Sequence, residues 1–99
     1  MPASKNAFAR YILIVRRLKR GNFNHPVSID RIMDDVREET GYEVSHSTIE
    51  KDIAALRHDS VLAIHAPIIN VNGYGKGKSG YYIEADWLLS KRIHEVFRV

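Results

Sequence analysis

The side chains best suited to chemistry in this chain of 99 residues crowd into the run Ser45-His46-Ser47-Thr48, followed closely by Glu50 and Lys51. Hydroxyls, an imidazole and an ammonium in that order suit hydrogen bonding to a polar surface. They do not make a nucleophile system, because no local motif sets a base and an orienting acid beside a serine. His25, His46, His58, His65 and His94 lack the spacing and acidic neighbour of a zinc motif such as H-E-x-x-H, and no second histidine follows His94-Glu95. The chain has no cysteine, which excludes disulfides and thiolate metal sites. Asp34-Asp35 and Glu38-Glu39 invite comparison with acid-base pairs, but they are expected on the solvated side of an amphipathic helix. Gly73, Gly75, Gly77 and Gly80 lack the strand-to-helix context of a phosphate-cradling loop. No catalytic site, metal site or cofactor is implied, so the expected chemistry is recognition.

Apolar spacing supplies the elements that must position this run. Phe8, Tyr11, Ile12, Val15 and Leu18 recur at helical intervals, predicting a first helix from residue 4 or 6 to residue 20, stopped by Gly21-Asn22. Residues 21–26 then form a loop. Ser28 is a suitable N-cap for a second helix whose buried stripe is Ile29, Ile32, Met33 and Val36. Gly41 suits the left-handed closing position. Ser45 caps a third helix over 46–58, with Ile49, Ile53 and Leu56 on one face. Val44 before the cap and Ile49 at the fourth helical position form a hydrophobic staple. Beyond Asp59, residues 67–72 and 80–84 read as paired strands around a flexible basic tip over 73–79. Asp86 caps a last helical segment reaching residue 99, with Leu89, Ile93, Val96 and Phe97 along one side.

Charge is segregated along this frame. Lys5, Arg10, Arg16, Arg17, Lys19 and Arg20 precede Pro26 without one acid among them. Residues 28–44 then carry Asp30, Asp34, Asp35, Glu38, Glu39 and Glu43. Positive charge returns at Lys76 and Lys78. A molecule with one basic side attracts phosphate backbones. No apolar run approaches the ~20 residues that span a bilayer, and no signal-peptide core is present, so a membrane partner is not expected.

Two helices joined by a tight glycine-containing turn, here residues 28–58, constitute a helix-turn-helix. The strand pair after them makes it a winged helix. The expected fold is α+β: a winged helix-turn-helix with a three-helix core, a β-hairpin wing and a C-terminal helix. Residues 1–87 form the domain, and 88–99 form a C-terminal helix or the start of a linker. In such an arrangement the helix over 46–58 enters the major groove of double-stranded DNA and the wing over 73–80 lies on the backbone or an adjacent groove. The expected contacts are His46, Ser47, Thr48 and Lys51 on the helix and Tyr74, Lys76 and Lys78 on the wing, with Arg16, Arg17 and Arg20 on the backbone. The alternative from another class is a winged-helix protein-interaction module, favoured by the acidic second helix and Glu50.

The run Val44-Ser45-His46-Ser47-Thr48-Ile49-Glu50-Lys51-Asp52-Ile53-Ala54-Ala55-Leu56-Arg57 resembles the signature V-S-x-R-T-I-x-R-D-I-x-x-L-R. That signature belongs to the DeoR-like winged-helix domains at the head of bacterial WYL-domain transcriptional regulators. Residues 1–7 with Arg10-Tyr11 look like the start of the Bacteroidetes members. His65-Ala66-Pro67-Ile68 and Gly80-Tyr81-Tyr82 resemble the family's strand entry and its return after the wing. The resemblance implies transcriptional regulation through DNA, with Ser45, His46, Ser47, Thr48 and Lys51 as contacts, in a bacterial cytoplasm at the nucleoid. It assigns Asp52 a structural role, pairing with a nearby arginine. Ser47 replaces the motif's first arginine and Lys51 its second, which removes the bidentate fork that grips guanine. The family normally continues into a WYL sensor domain, so a chain ending at Val99 is expected to be either an N-terminal fragment or a short stand-alone regulator. In a stand-alone form the terminal helix either makes a homodimer or packs back on its own core.

Overall fold

A computed structural model describes residues 5–59, 63–72 and 79–88. Three helices and one hairpin follow in order: α1 (Lys5–Leu18), α2 (Ile29–Thr40), α3 (His46–His58), β1 (Ile69–Asn72) and β2 (Ser79–Tyr82). The helices pack pairwise on one another, each against both others. This is a winged helix-turn-helix: a three-helix core with an antiparallel hairpin behind it. The wing tip over 73–78 and residues 89–99 of the expected terminal helix lie outside the described residues; at its expected start, Asp86 lies in a turn and Trp87 and Leu88 are not helical. Among the described residues no helix is long and apolar enough to cross a membrane.

The helix boundaries follow from local chemistry. The Ser28 hydroxyl accepts from the Arg31 amide at 3.2 Å, and the Ser45 hydroxyl accepts from the Thr48 amide at 3.1 Å, so each helix starts with a side-chain acceptor for an otherwise unpaired donor. Gly41 closes α2 at φ +80, where a side chain would be strained, and its amide donates to the Arg37 carbonyl. Ile49 is in the core and Val44 packs against it, partly buried, as the staple pattern predicts.

On α1 the buried face differs from the one the spacing suggested. Ala7, Tyr11, Ile14, Val15 and Leu18 enter the core, whereas Phe8 is 40% exposed and Ile12 38%. Residues 7, 11, 14 and 18 lie over one another at helical spacing. Ile14, fully buried at 0%, sits at their centre and turns the helix so that Phe8 and Ile12 flank the core. The stripes of α2 and α3 are as expected, with Ile32 and Val36, and Ile49, Ile53 and Leu56, inside. Ile29 and Met33 are partly buried against the same cluster.

The hairpin is joined by a third backbone segment that the sequence did not reveal. Val27, in the approach to α2, bridges Tyr81 antiparallel: its amide donates to the Tyr81 carbonyl at 2.8 Å, and the Tyr81 amide returns the bond at 2.9 Å. β2 therefore runs between Val27 and β1, with Ile69 opposite Tyr82 and Asn72 opposite Ser79. The Ile83 amide donates to the Leu18 carbonyl at 3.1 Å and seals the end of α1. Gly80 makes this closeness possible, since a Cβ there would lie 2.4 Å from the Val27 carbonyl oxygen.

Between α3 and β1 the chain reverses through two left-handed residues, Ala63 at φ 54 and His65 at φ 48. They bracket Ile64, which is buried, and bring Ala66 inward so that its amide donates to the Leu56 carbonyl at 2.8 Å. That bond satisfies one of the free carbonyls at the end of α3. A left-handed non-glycine residue costs roughly 1–2 kcal/mol, so Ala63 holds strain that the burial of Ile64 offsets.

Two stability predictions follow from the backbone. Gly80→Ala must push Val27 away from Tyr81, and denaturant unfolding should show a loss of about 1–3 kcal/mol, the range for overpacking. Ala63→Gly should instead stabilise the domain by about 1 kcal/mol as the left-handed strain is relieved. An unchanged midpoint for either variant contradicts the backbone geometry described.

Candidate nucleic-acid interface

The core face of α3 decides which of its residues face outward. Ile49, Asp52, Ile53 and Leu56 are inside. Opposite them, at helical spacing, Ser47, Lys51, Ala54 and His58 form an exposed stripe, flanked on one side by His46 and Glu50. Ser47 and Ala54 are short, so the helix backbone can approach a partner closely along this stripe.

A buried acid on α3 needs a partner, and α1 supplies it. Asp52 accepts from both nitrogens of the Arg10 fork, Nε at 2.6 Å and Nη2 at 3.1 Å. The side chains are 14% and 6% exposed, Arg10 and Asp52 respectively. Donation to Asp52 raises the Arg10 pKa above its ordinary value against the opposing effect of burial. The structural pairing that the resemblance assigned to Asp52 is thus present.

A second fork ties α1 to α2. Arg17 donates to both carboxylate oxygens of Asp35, and hydrogen bonding to Asp35 raises the Arg17 pKa. Asp35 is not on the solvated side of α2, as its place in the acidic run suggested, because its side chain is only 13% exposed beside Arg17. Arg16, Arg17 and Arg20 line one groove with Leu13, Asp35, Glu38 and Glu39. The expected backbone-contacting arginines therefore sit among carboxylates between α1 and α2.

The N-terminus of α3 opens on a different surface. His46 lines a cleft with Ser28, Ile29 and Asp30 at the start of α2, and with Asn70, Asn72, Ser79, Gly80 and Tyr81 of the hairpin. Asn70 and Asn72 lie on the side of β1 opposite the buried Val71, so both amides are exposed. These two asparagines were not singled out from the sequence. Alternation along β1 places them on one face, but only the tertiary fold brings that face beside His46. Arg16, Arg17 and Arg20 are absent from this cleft.

Side-chain contacts within the reading run are local. Ser45 Oγ lies 3.2 Å from Ser47 Oγ and 2.8 Å from Thr48 Oγ1, so Ser45 and Thr48 are engaged in starting the helix. His46 Nδ1 lies 2.6 Å from Glu50 Oε1 across one turn. No partner of the Lys51 ammonium is found among the described residues. Tyr74, Lys76 and Lys78 fall outside the described residues. Among the described residues no cluster of three histidines, cysteines or acids could hold a metal ion.

The arrangement belongs to the winged helix-turn-helix class, in which an exposed helix and a hairpin share one binding surface. Comparison with protein-family models, with curated proteins and with solved structures finds no match to the chain. The fold therefore rests on its own geometry.

The two kinds of ion pair should separate cleanly on mutation. Asp52→Ala removes the carboxylate partner of the Arg10 guanidinium in a mostly dry site and should cost roughly 3 kcal/mol, the low end for breaking a buried pair. Asp34→Ala removes only the exposed contact with Arg37, whose side chains are 49% and 54% exposed, and should cost under about 1 kcal/mol. Equal losses by chemical denaturation would show that Arg10 and Asp52 do not share a dry site.

Proposed function

We propose that this protein binds double-stranded DNA sequence-specifically in transcriptional regulation, with α3 in the major groove and the wing on the backbone or adjacent groove. The observation that carries this is the single surface formed by the outward stripe of α3 and the polar cleft at its N-terminus. There the side chains at hand are hydroxyls, amides, two imidazoles and an ammonium, groups that read base edges and sugar-phosphate, with the carboxylates of Asp30 and Glu50 at the border. The contacts are Ser45, His46, Ser47, Thr48 and Lys51 on α3, with Asn70 and Asn72 from β1 beside them. Tyr74, Lys76 and Lys78 complete the wing. Thr48 acts in part through the cap, since its hydroxyl is held by Ser45. Arg16 and Arg20 are second-order in this arrangement, because Glu38 and Glu39 share their groove.

The family we propose is the DeoR-like domain that heads bacterial WYL regulators, acting at the nucleoid. The support is the α3 motif of the sequence, seated in a winged helix and with its aspartate paired as the resemblance implied. Two extensions of this proposal are alternatives: a WYL sensor domain in a longer parent chain, or, in a stand-alone regulator, a homodimer through residues 88–99. Light scattering on the purified chain tests the dimer, and a monomer at micromolar concentration rejects it.

A second function has its own support. Asp30 and Glu50 both border the recognition surface and repel phosphate, which favours a protein partner in place of DNA.

Titration of a labelled duplex at several salt concentrations separates the two. DNA binding predicts affinity that falls steeply with salt as counterions are released. Lys51→Ala should weaken binding to all duplexes and reduce the salt slope by about 1. Ser47→Arg, on the outermost stripe of α3, should strengthen binding. Absence of binding at the lowest salt rejects the DNA function and leaves the protein-interaction module.

A further inference from the structure

Glu50 is a carboxylate on the exposed flank of a helix proposed to enter a polyanion, and its geometry gives it a use. His46 Nδ1 occupies Oε1 at 2.6 Å, and Oε2 has no partner among the described residues. The imidazole one turn earlier thus engages one oxygen of this exposed carboxylate and leaves the second available as an acceptor. In the major groove only two base groups donate: the cytosine N4 amino group and the adenine N6 amino group. The adenine amino group has an acceptor on either side, its own N7 and the O4 of the paired thymine. The cytosine amino group has one such neighbour, the guanine O6 across the pair, and a C–H on its other side. A carboxylate is repelled by acceptors, so it fits cytosine better than adenine.

We infer that Glu50, oriented by His46, is a specificity-determining residue that selects one C·G pair in the target duplex. The inference rests on α3 lying in the major groove as proposed above. The same carboxylate opposes phosphate contacts, so it lowers binding to unrelated DNA while the cytosine amino group offsets that repulsion at the correct site. Lys51, the next residue, lies on the outward stripe, where its ammonium restores one positive charge to the reading surface.

The test is selection of high-affinity sites from a randomised duplex library with the full chain, followed by the same selection with Glu50→Gln. The variant is nearly isosteric and Glu50 is exposed, so folding is checked by its unchanged thermal midpoint. The wild-type motif should contain a C·G pair whose replacement by any other pair lowers affinity roughly tenfold, at the low end for a direct base contact. In Glu50→Gln that position should change to A·T, because a side-chain amide matches the adenine N6/N7 edge. The other positions should persist, and affinity for random duplex should rise. An identical motif from both proteins overturns the assignment of Glu50 while upholding DNA binding. No enriched motif from either protein, with no salt-dependent binding to random duplex, rejects the DNA function itself and with it this inference.

Discussion

Everything that α3 can present to a partner depends on the fork between Arg10 and Asp52. A helix that offers one face outward must be gripped on the other, and apolar packing alone permits some rotation about the helix axis. Asp52 lies on the gripped face, among Ile49, Ile53 and Leu56, where an unpaired carboxylate would be costly. Two hydrogen bonds from one planar guanidinium admit a narrow range of alignments. The ion pair gives little net stability once desolvation is counted. What it contributes is orientation: it ties the rotation of α3 to α1. The Arg17–Asp35 fork ties α2 to the same helix. α1 is thus a frame with two clamps, and the helix-turn-helix is mounted on it.

That use of charge explains the character of the outer surface. Two arginines of the basic first segment are spent inside the molecule, and Arg16 and Arg20 share a groove with acids. The reading face of α3 then carries one ammonium, at Lys51, and one carboxylate, at Glu50, whose charges oppose each other. The excess of basic residues in the chain therefore does not make the outward face of α3 basic. Hydrogen-bonding groups dominate there, and the asparagines of β1 extend the same chemistry across the cleft.

How much of this was legible depends on the range of the interaction. The third helix could be bounded to the residue, because Ser45, Val44 and Ile49 act within one turn of chain and nothing distant competes with them. The face of α1 could not, because Phe8 and Ile12 are as apolar as Ala7 and Ile14; which pair goes inside is decided by the helices packed against it. Asp35 looked like one solvated acid in a run of acids, and only the arrival of Arg17, eighteen positions away in sequence, distinguishes it. Val27 carries no strand pattern of its own. It pairs because Gly80 lets two backbones meet, a fact that neither segment contains separately. Asn70 and Asn72 belong to the same class, since their value lies in what α3 places beside them.

The near cancellation of charge on α3 also bears on what sort of recognition this surface can perform. Phosphate contacts raise affinity for every duplex alike and carry no sequence information, so a strongly basic helix strengthens wrong sites as much as right ones. A helix whose outward face carries one cation, one anion and several hydroxyls gains little from phosphate and much from matched base edges. Under the proposed DNA binding, its discrimination is then large relative to its affinity. The close approach permitted by Ser47 and Ala54 works in the same direction, because short side chains reach base edges only when the backbone itself lies deep in the groove. The Arg10–Asp52 fork is what makes such closeness usable: hydrogen bonds from short side chains have little reach to spare, and a helix free to roll by a few tens of degrees would miss them.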